Sequence, residues 1–400
     1  MRRTADNGYE RLVEKARASH EQGRATADIT QDDIGLARLY SYAYRTHTIG
    51  AFHATRREIE SCRSDDPLIR AHLQRASEQL TDLANQGTEP VPDDFRVVIS
   101  TFWRYDRGVC RVMDALDQAR GAGGGPGLDR VAERFSEAMS RIASGNGIDP
   151  TRDTEVRPQA SFVVPNLGIT IAPLVYGDQH SWNLAFLSTE HLDVPMHRHR
   201  FGVEIHLGYE PVAGLMILGG CKSPVTEGYA LPIPPLTRHG WANTSGQVHH
   251  VPFIFGSLVH AGWGVFLDVE PQPVELEDLE TVDRTDWQMS HTVFLEREIE
   301  AATALRGSRR WTLIPATVTA RNGTGGLELS LARVNESGLE LPVERFRIVS
   351  VVRGAGVVRI GPAERAVARH DHFGIPSGME ASIRQEGREP LVLLDALIKT

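Results

Sequence analysis

Two histidines two residues apart, His197 and His199 in Pro195-Met196-His197-Arg198-His199-Arg200-Phe201-Gly202-Val203-Glu204, constrain this chain more than any other feature. In an extended strand a period of two sets both imidazoles on one face, so two nitrogen donors can meet one cation. By the same parity Arg198 and Arg200 face away. Glu204 follows His199 after five residues, a step that changes parity, so its carboxylate reaches the same face only if Phe201-Gly202 makes a bulge or turn. His239 comes after a Gly- and Pro-punctuated stretch, and the four residues together read as a mononuclear metal site on β-strands.

The second half of the pattern runs from Gly228 through Pro234, Pro235 and His239 to Asn243. Here the chain resembles a known family. The first segment is similar to the first cupin motif, a His-x-His followed by a Glu, and the second to the Gly, Pro, His, Asn series of the second motif. The resemblance covers about 80 residues, roughly one barrel core. It implies a small β-barrel whose metal is held by His197, His199, Glu204 and His239. Leu236 stands where the second motif usually has Gly, so the turn before His239 is expected to be reshaped.

With 400 residues the chain exceeds one barrel, and roughly two or three domains are expected. Its 41% hydrophobic and 24% charged residues are those of an ordinary globular protein, which sets disorder aside. A net charge of −9 argues against a general nucleic-acid-binding surface. The three cysteines, Cys62, Cys110 and Cys221, are far apart and form no Cys-x-x-Cys, so neither a disulfide framework nor a zinc knuckle is indicated. The first residues are polar, with no apolar signal region, and nowhere does an apolar run reach membrane-spanning length. The expectation is a cytoplasmic protein with no membrane partner.

Fold class reads as α+β, an all-α N-terminal region followed by two cupin-type β-barrels of jelly-roll kind. Residues 1–150 carry apolar positions at helical spacing. Thr30 and Asp33 suggest a helix start, and a helix is expected from Asp66-Pro67 to Gly87. Another is expected through Phe95, Val98, Phe102 and Val109, and a last one over Leu128 to Ile142. Tyr40, Tyr44, His47, His53 and Glu58 lie close in this region, but without the Glu-x-x-His pairs of a di-metal bundle they read as packing and polar faces. Pro150 to Pro158 reads as a linker.

Beyond Pro158 short β-rich runs alternate with Gly, Pro, Asn and Asp, placing a metal-binding barrel at 159–272. Residues 273–300 are acidic and helix-tolerant. Strand grammar returns by Arg310, and 300–400 looks like a second cupin without metal chemistry. Counted from Pro376, the position equivalent to His239 is Ala381, and His370 and His372 read as a surface pair.

Three imidazoles and a carboxylate leave two open positions on an octahedral ion, which suits Fe(II) first, with Mn(II), Ni(II) and Zn(II) as alternatives. The leading expectation is an Fe(II)-dependent oxygenase that acts on a small polar metabolite with O2. The alternatives are a non-oxidative lyase or isomerase, and a metal- or ligand-binding protein without turnover. Strand parity nominates His206, two residues past Glu204, as general base or orienter, with Tyr209 the weaker candidate. Trp241 is expected as a pocket wall and Asn243 as a substrate-side or turn-stabilising residue. His249 and His250 are left out of the ligand set because adjacent residues point to opposite faces. The helical region is expected to serve homodimerisation or pocket closure.

Overall fold

The computed structural model describes residues 48, 51–87, 95–143, 162–163, 170–176, 179–187, 193–208, 214–225, 228–244, 249–257, 269–272, 274–320, 325–341, 344–361, 363–375 and 377–399. The chain divides into two compact units, Met1–Ala160 and Ser161–Thr400. None of the described helices is long and apolar enough to cross a membrane.

After helical residues 51–61, the first unit contains α1 (Pro67–Gly87), α2 (Phe95–Gly121) and α3 (Gly125–Ala143). The Asp66 carboxylate accepts the Leu68 N–H at 2.7 Å and caps α1, with Pro67 in the first helical position. The Gly124 N–H returns to the Ala119 carbonyl at 3.2 Å, while Gly123, at φ +96°, takes the left-handed turn that ends α2. Helix α3 begins at Gly125, three residues earlier than its apolar period suggests, because Pro126 fits a first turn. Phe52, Leu80, Val112 and Phe135 share the apolar core. Glu58 pairs with Arg134 at 2.9 Å, and burial lowers the His53 pKa to about 4, so both residues serve packing and a surface ion pair. The Thr30–Asp33 start, Tyr40, Tyr44, His47 and the Pro150–Pro158 linker lie outside the described residues.

The second unit is built from four sheets. The first has the order β1 (Phe162–Val163), β2 (Thr170–Tyr176), β3 (His180–Leu187), β10 (His249–Gly256), β5 (Val203–Leu207), β8 (Ala230–Ile233). The second has β11 (Val269–Pro271), β4 (Asp193–His199), β9 (His239–Asn243), β6 (Gly214–Leu218), β7 (Cys221–Val225), β12 (Glu280–Thr281). After α4 (Asp286–His291) and α5 (Leu295–Ala304) comes the third sheet, β13 (Arg309–Ile314), β14 (Gly326–Val334), β21 (Leu391–Lys399), β16 (Arg347–Arg353), β19 (His372–Ile375). The fourth is β15 (Leu339–Leu341), β20 (Ala381–Glu386), β17 (Ala355–Ile360), β18 (Ala363–Ala368).

No sheet closes on itself among the described residues, so each expected barrel is present as a pair of open sheets. A capping box opens α4: Gln288 N–H donates to the Thr285 hydroxyl and Thr285 N–H to the Gln288 side chain.

The two pairs of sheets repeat one topology. Strands β2 to β10 and β13 to β21 follow the same chain order and the same neighbour pattern. Register then fixes residue equivalences. His197 opposes His239 as Leu341 opposes Ala381, and Glu204 opposes Ile233 as Arg347 opposes Ile375. Each of the two isoleucines ends its strand just before a proline. In the second half, leucine, arginine and alanine therefore stand at the positions of His197, Glu204 and His239.

Arg347 stands at the position of Glu204, and its guanidinium donates to the Asp395 carboxylate. Arg310 donates to the same Asp395 oxygen at 2.7 Å and reaches Glu328 at 3.3 Å, and Lys399 meets Glu328 at 2.6 Å. These groups line the inner face of the third sheet, continuing the face on which Val349, Val351, Leu391 and Leu393 form the apolar core shared with the fourth. Burial pushes the Asp395 carboxyl up, and the two guanidiniums oppose that shift.

Outer faces of the first and third sheets pack on each other. β21 is buried at every residue but its last, as expected of a strand covered on both faces. At this seam the Nε2 of buried His180 lies 3.1 Å from the Ala396 carbonyl, and its ring sits edge-on to Phe346 at 5.4 Å. Burial, with Arg347 nearby, lowers the His180 pKa to about 4. Between pH 6.5 and 4 the unfolded chain therefore binds a proton that the folded chain refuses, and stability falls as pH drops. For metal-free protein we expect a loss of about 3 kcal/mol over that window. The urea midpoint should fall less between pH 7 and 4.5 in His180→Gln; an unchanged pH dependence would rule His180 out as a source.

Candidate metal centre

β4 carries His197 and His199, both buried, while the intervening Arg198 turns outward to Glu270 at 2.8 Å. Arg200 meets the same carboxylate at 2.8 Å, and Arg198 first, then Arg200, holds the Glu270 carboxyl below its usual range. The chain then bends at Arg200 and Phe201 and enters the facing sheet as β5, which carries Glu204. The parity change is thus resolved by a crossing between sheets: the carboxylate meets the imidazoles from across the interior. β9 brings His239 directly opposite His197.

The structure places one donor atom each from His197, His199, Glu204 and His239 within 4.8 Å of one another. All four residues are at most 4% exposed, so this charge and these donors have been withdrawn from water. His239 Nε2 lies 3.1 Å from Glu204 Oε2, and His199 Nε2 lies 3.1 Å from Glu204 Oε1. The far nitrogens are anchored: Nδ1 of His197 donates to the Pro195 carbonyl at 2.8 Å, and Nδ1 of His239 to that of Thr237 at 2.9 Å. Such bonds select the tautomer that leaves Nε2 as a lone-pair donor facing the centre. The Nδ1 of His199 is buried without a hydrogen-bond partner.

Burial first, then His239 and His199, hold His197 well below its usual pKa, so it is neutral at physiological pH. Burial also disfavours the Glu204 anion, but His199 and His239 outweigh it and keep the carboxyl well below its ordinary range. Three imidazoles around one carboxylate fit a divalent cation of borderline hardness.

Leu236 adopts φ +67°, the left-handed conformation that glycine favours, and its N–H bonds the His199 carbonyl at 2.7 Å. This bond and Pro234-Pro235 hold the backbone against the side chain's preference. Leu236→Gly should stabilise the second unit by up to about 1 kcal/mol in urea unfolding, and a loss of stability would disprove the strain.

His206 shares the inner face with Glu204, and its Nε2 donates to Glu204 Oε2 at 2.8 Å. Its ring is edge-on to His239 at 5.7 Å. Trp241, 1% exposed, lies two residues past His239 and covers Gly214 closely enough that a Cβ there would meet the indole at 2.8 Å. Asn243 is also buried, paired in register with Gly214. Tyr209 lies outside the described residues, as do the side chains of His249 and His250.

Sequence reasoning missed several inner-face residues. Register sets Phe253 and Ser181's neighbour Asn183 in the row of His206, and Phe255 and Ser181 in the row of Glu204. The Phe255 ring lies 5.2 Å from that of His199, and Asn183 donates to the Ser181 hydroxyl at 2.9 Å. Tyr229 is buried at the far end of the same face, and burial raises its pKa. Period-two alternation was visible in each strand; the pairing that aligns them was not.

No family model and no curated protein matches the chain. Among solved structures it is similar to salicylate 1,2-dioxygenase from Pseudaminobacter salicylatoxidans, at 16% identity and TM-score 0.39 over 55% of this chain and 70% of that chain. Adducts of that enzyme with gentisate give 16% and 0.36 over 55% and 68%. A cupin 2 conserved barrel domain protein from Leptotrichia buccalis gives 11% and 0.37 over 58% of this chain and 89% of that chain. At such scores these are likenesses only, and the site stands on its own residues. In its paired motifs, its buried three-histidine, one-glutamate cluster and its facing antiparallel sheets, the chain is cupin-like.

Proposed function

We propose that His197, His199, Glu204 and His239 hold one Fe(II) ion and that the chain is an oxygenase acting on a small polar metabolite. The observation that carries this reading is the convergence of four buried donors, three nitrogens and one carboxylate oxygen, within 4.8 Å. Such a set leaves two of an octahedral ion's positions open, and the ion, when bound, supplies Lewis acidity and a place for dioxygen beside the substrate. The protein's own part is to fix those donors. His206 holds one Glu204 oxygen, while Trp241, Phe253 and Phe255 keep water from the interior, and Asn243 braces the strand end beneath Trp241. Tyr209 is the second catalytic candidate of this reading.

His206→Phe removes the hydrogen bond to Glu204 and should weaken metal binding or activity by about 10–100-fold, as loss of a ligand's orienting partner does. Unchanged values would remove His206 from the reading. The direct test is oxygen consumption by Fe(II)-loaded protein across a panel of small polar metabolites. Tight retention of zinc, nickel or manganese with no oxygen uptake would overturn the oxygenase. The Nδ1 of His206, buried without a hydrogen-bond partner, favours in that event a lyase or isomerase in which His206 takes a substrate proton. The helical unit is assigned to homodimerisation, which light scattering on the full chain tests.

A further inference from the structure

On the other side of the first sheet lies a cavity of about 700 Å³, within the range of small-molecule sites. Trp182 and Leu184 line it, and both alternate along β3 with Ser181 and Asn183, which share the rows of Glu204 and His206. The cavity is therefore separated from the metal centre by the thickness of the sheet. Its remaining lining comes from Leu174 of β2, Pro252 of β10, β16, α5, the turn between β18 and β19, His372 of β19 and Glu389.

Leu174, Leu184 and Ile299, each partly exposed, form the apolar floor, whereas Trp182 is fully buried, with its ring 5.2 Å from that of His372. The surface-pair reading of His370 and His372 is corrected here: His370 is exposed, but His372 is half-buried, with its Nδ1 buried and lacking a hydrogen-bond partner. On α5, Glu296 and Glu300 are one turn apart and so share a face, and neither has an ion-pair partner among the described residues. Arg369 and His370 form the β18–β19 turn, and the Arg369 guanidinium is likewise unpaired among the described residues. His370 holds φ +76°, a left-handed conformation unfavourable for its side chain, locked by its N–H bond to the Val351 carbonyl at 2.9 Å. Backbone strain retained at a cavity lip is the kind that function maintains. The other ionic groups in the lining, Arg353 and Glu389, neutralise each other at 2.9 Å.

The cavity thus presents carboxylates and a guanidinium that are unpaired among the described residues, together with an apolar floor. We propose that it is a binding site for a small zwitterion with an apolar body, a free α-amino acid. Glu296 and Glu300 receive its ammonium group, Arg369 and His370 its carboxylate, and Leu174, Leu184 and Ile299 its side chain. The site is distinct from the metal centre and requires no metal.

Isothermal titration of the full chain with L-phenylalanine tests this, beside phenethylamine, which lacks the carboxylate, and 3-phenylpropionate, which lacks the ammonium. Phenylalanine should bind about tenfold or more tightly than either, since each loses a charge-assisted contact. Arg369→Ala and the double variant Glu296→Gln/Glu300→Gln should each weaken it by a similar factor; these are exposed side chains whose loss leaves the core intact. His239→Ala should bind phenylalanine as the unaltered chain does. No binding, equal binding of either analogue, insensitivity to both cavity variants, or loss in His239→Ala would each overturn the proposal.

Discussion

Replacing His239 by alanine is expected to strip the protein of its metal. His239 supplies one of four donors, and its ring is aimed by the Thr237 carbonyl and packed 4.2 Å from that of His197. Loss of a residue that merely orients a ligand costs about 10–100-fold in metal affinity, so loss of the ligand itself should exceed about 100-fold. Elemental analysis of protein purified without added metal would then find the ion in the unaltered chain and none in His239→Ala or His197→Ala. A variant that keeps stoichiometric metal would place the ion elsewhere.

The same experiment carries a stability readout. An ion present at a hundred times its dissociation constant stabilises the folded state by about 2.7 kcal/mol, a contribution that chelation removes from the unaltered protein. In His239→Ala the chelator should have no effect on the unfolding midpoint. Sensitivity there would mean a second metal site.

The second large effect is expected at Asp395, in the half of the fold that has no metal ligands. Its carboxylate is 1% exposed and takes hydrogen bonds from both Arg310 and Arg347. Asp395→Ala leaves the buried Arg347 guanidinium without its counter-ion, and breaking a buried pair in this way costs about 3–5 kcal/mol. Arg310, 24% exposed at its side chain, can turn to solvent and should add little. The double variant Arg347→Leu/Asp395→Leu replaces charge by apolar volume inside a core of valine and leucine. It should lose much less than the two single changes added together. Urea unfolding of the unaltered chain, Asp395→Ala, the single variants Arg347→Leu and Asp395→Leu and the double variant decides the matter: an Asp395→Ala loss below about 1 kcal/mol, or strict additivity in the leucine cycle, would show that the two groups are not coupled.

Both predictions come from one repeated topology used in two ways. In the first half three imidazoles and a carboxylate meet where a cation can join the two sheets. In the second the position of Glu204 is held by Arg347, a cation built into the chain, and the positions of His197 and His239 are apolar. The interior charge is balanced in each case, by an ion in our reading of the first and by Asp395 in the second.

Much of this was legible in the chain itself, wherever the determining forces are local. The helix from Pro67 to Gly87 was readable because a cap, a first-turn proline and a terminal glycine act within a few residues. The outward turn of Arg198 and the shared face of His197 and His199 follow from strand periodicity alone. The equivalence of Ala381 and His239 was readable from their common distance to a proline. What the tertiary structure decided is everything that depends on which strands lie side by side. Glu204 reaches the histidines from the opposite sheet, His206 binds Glu204, Arg347 fills the second interior, and Trp182 meets His372 across a seam. A strand's sequence specifies which residues share a face, but a one-residue shift against its neighbour exchanges the faces, and only the packed core selects the register.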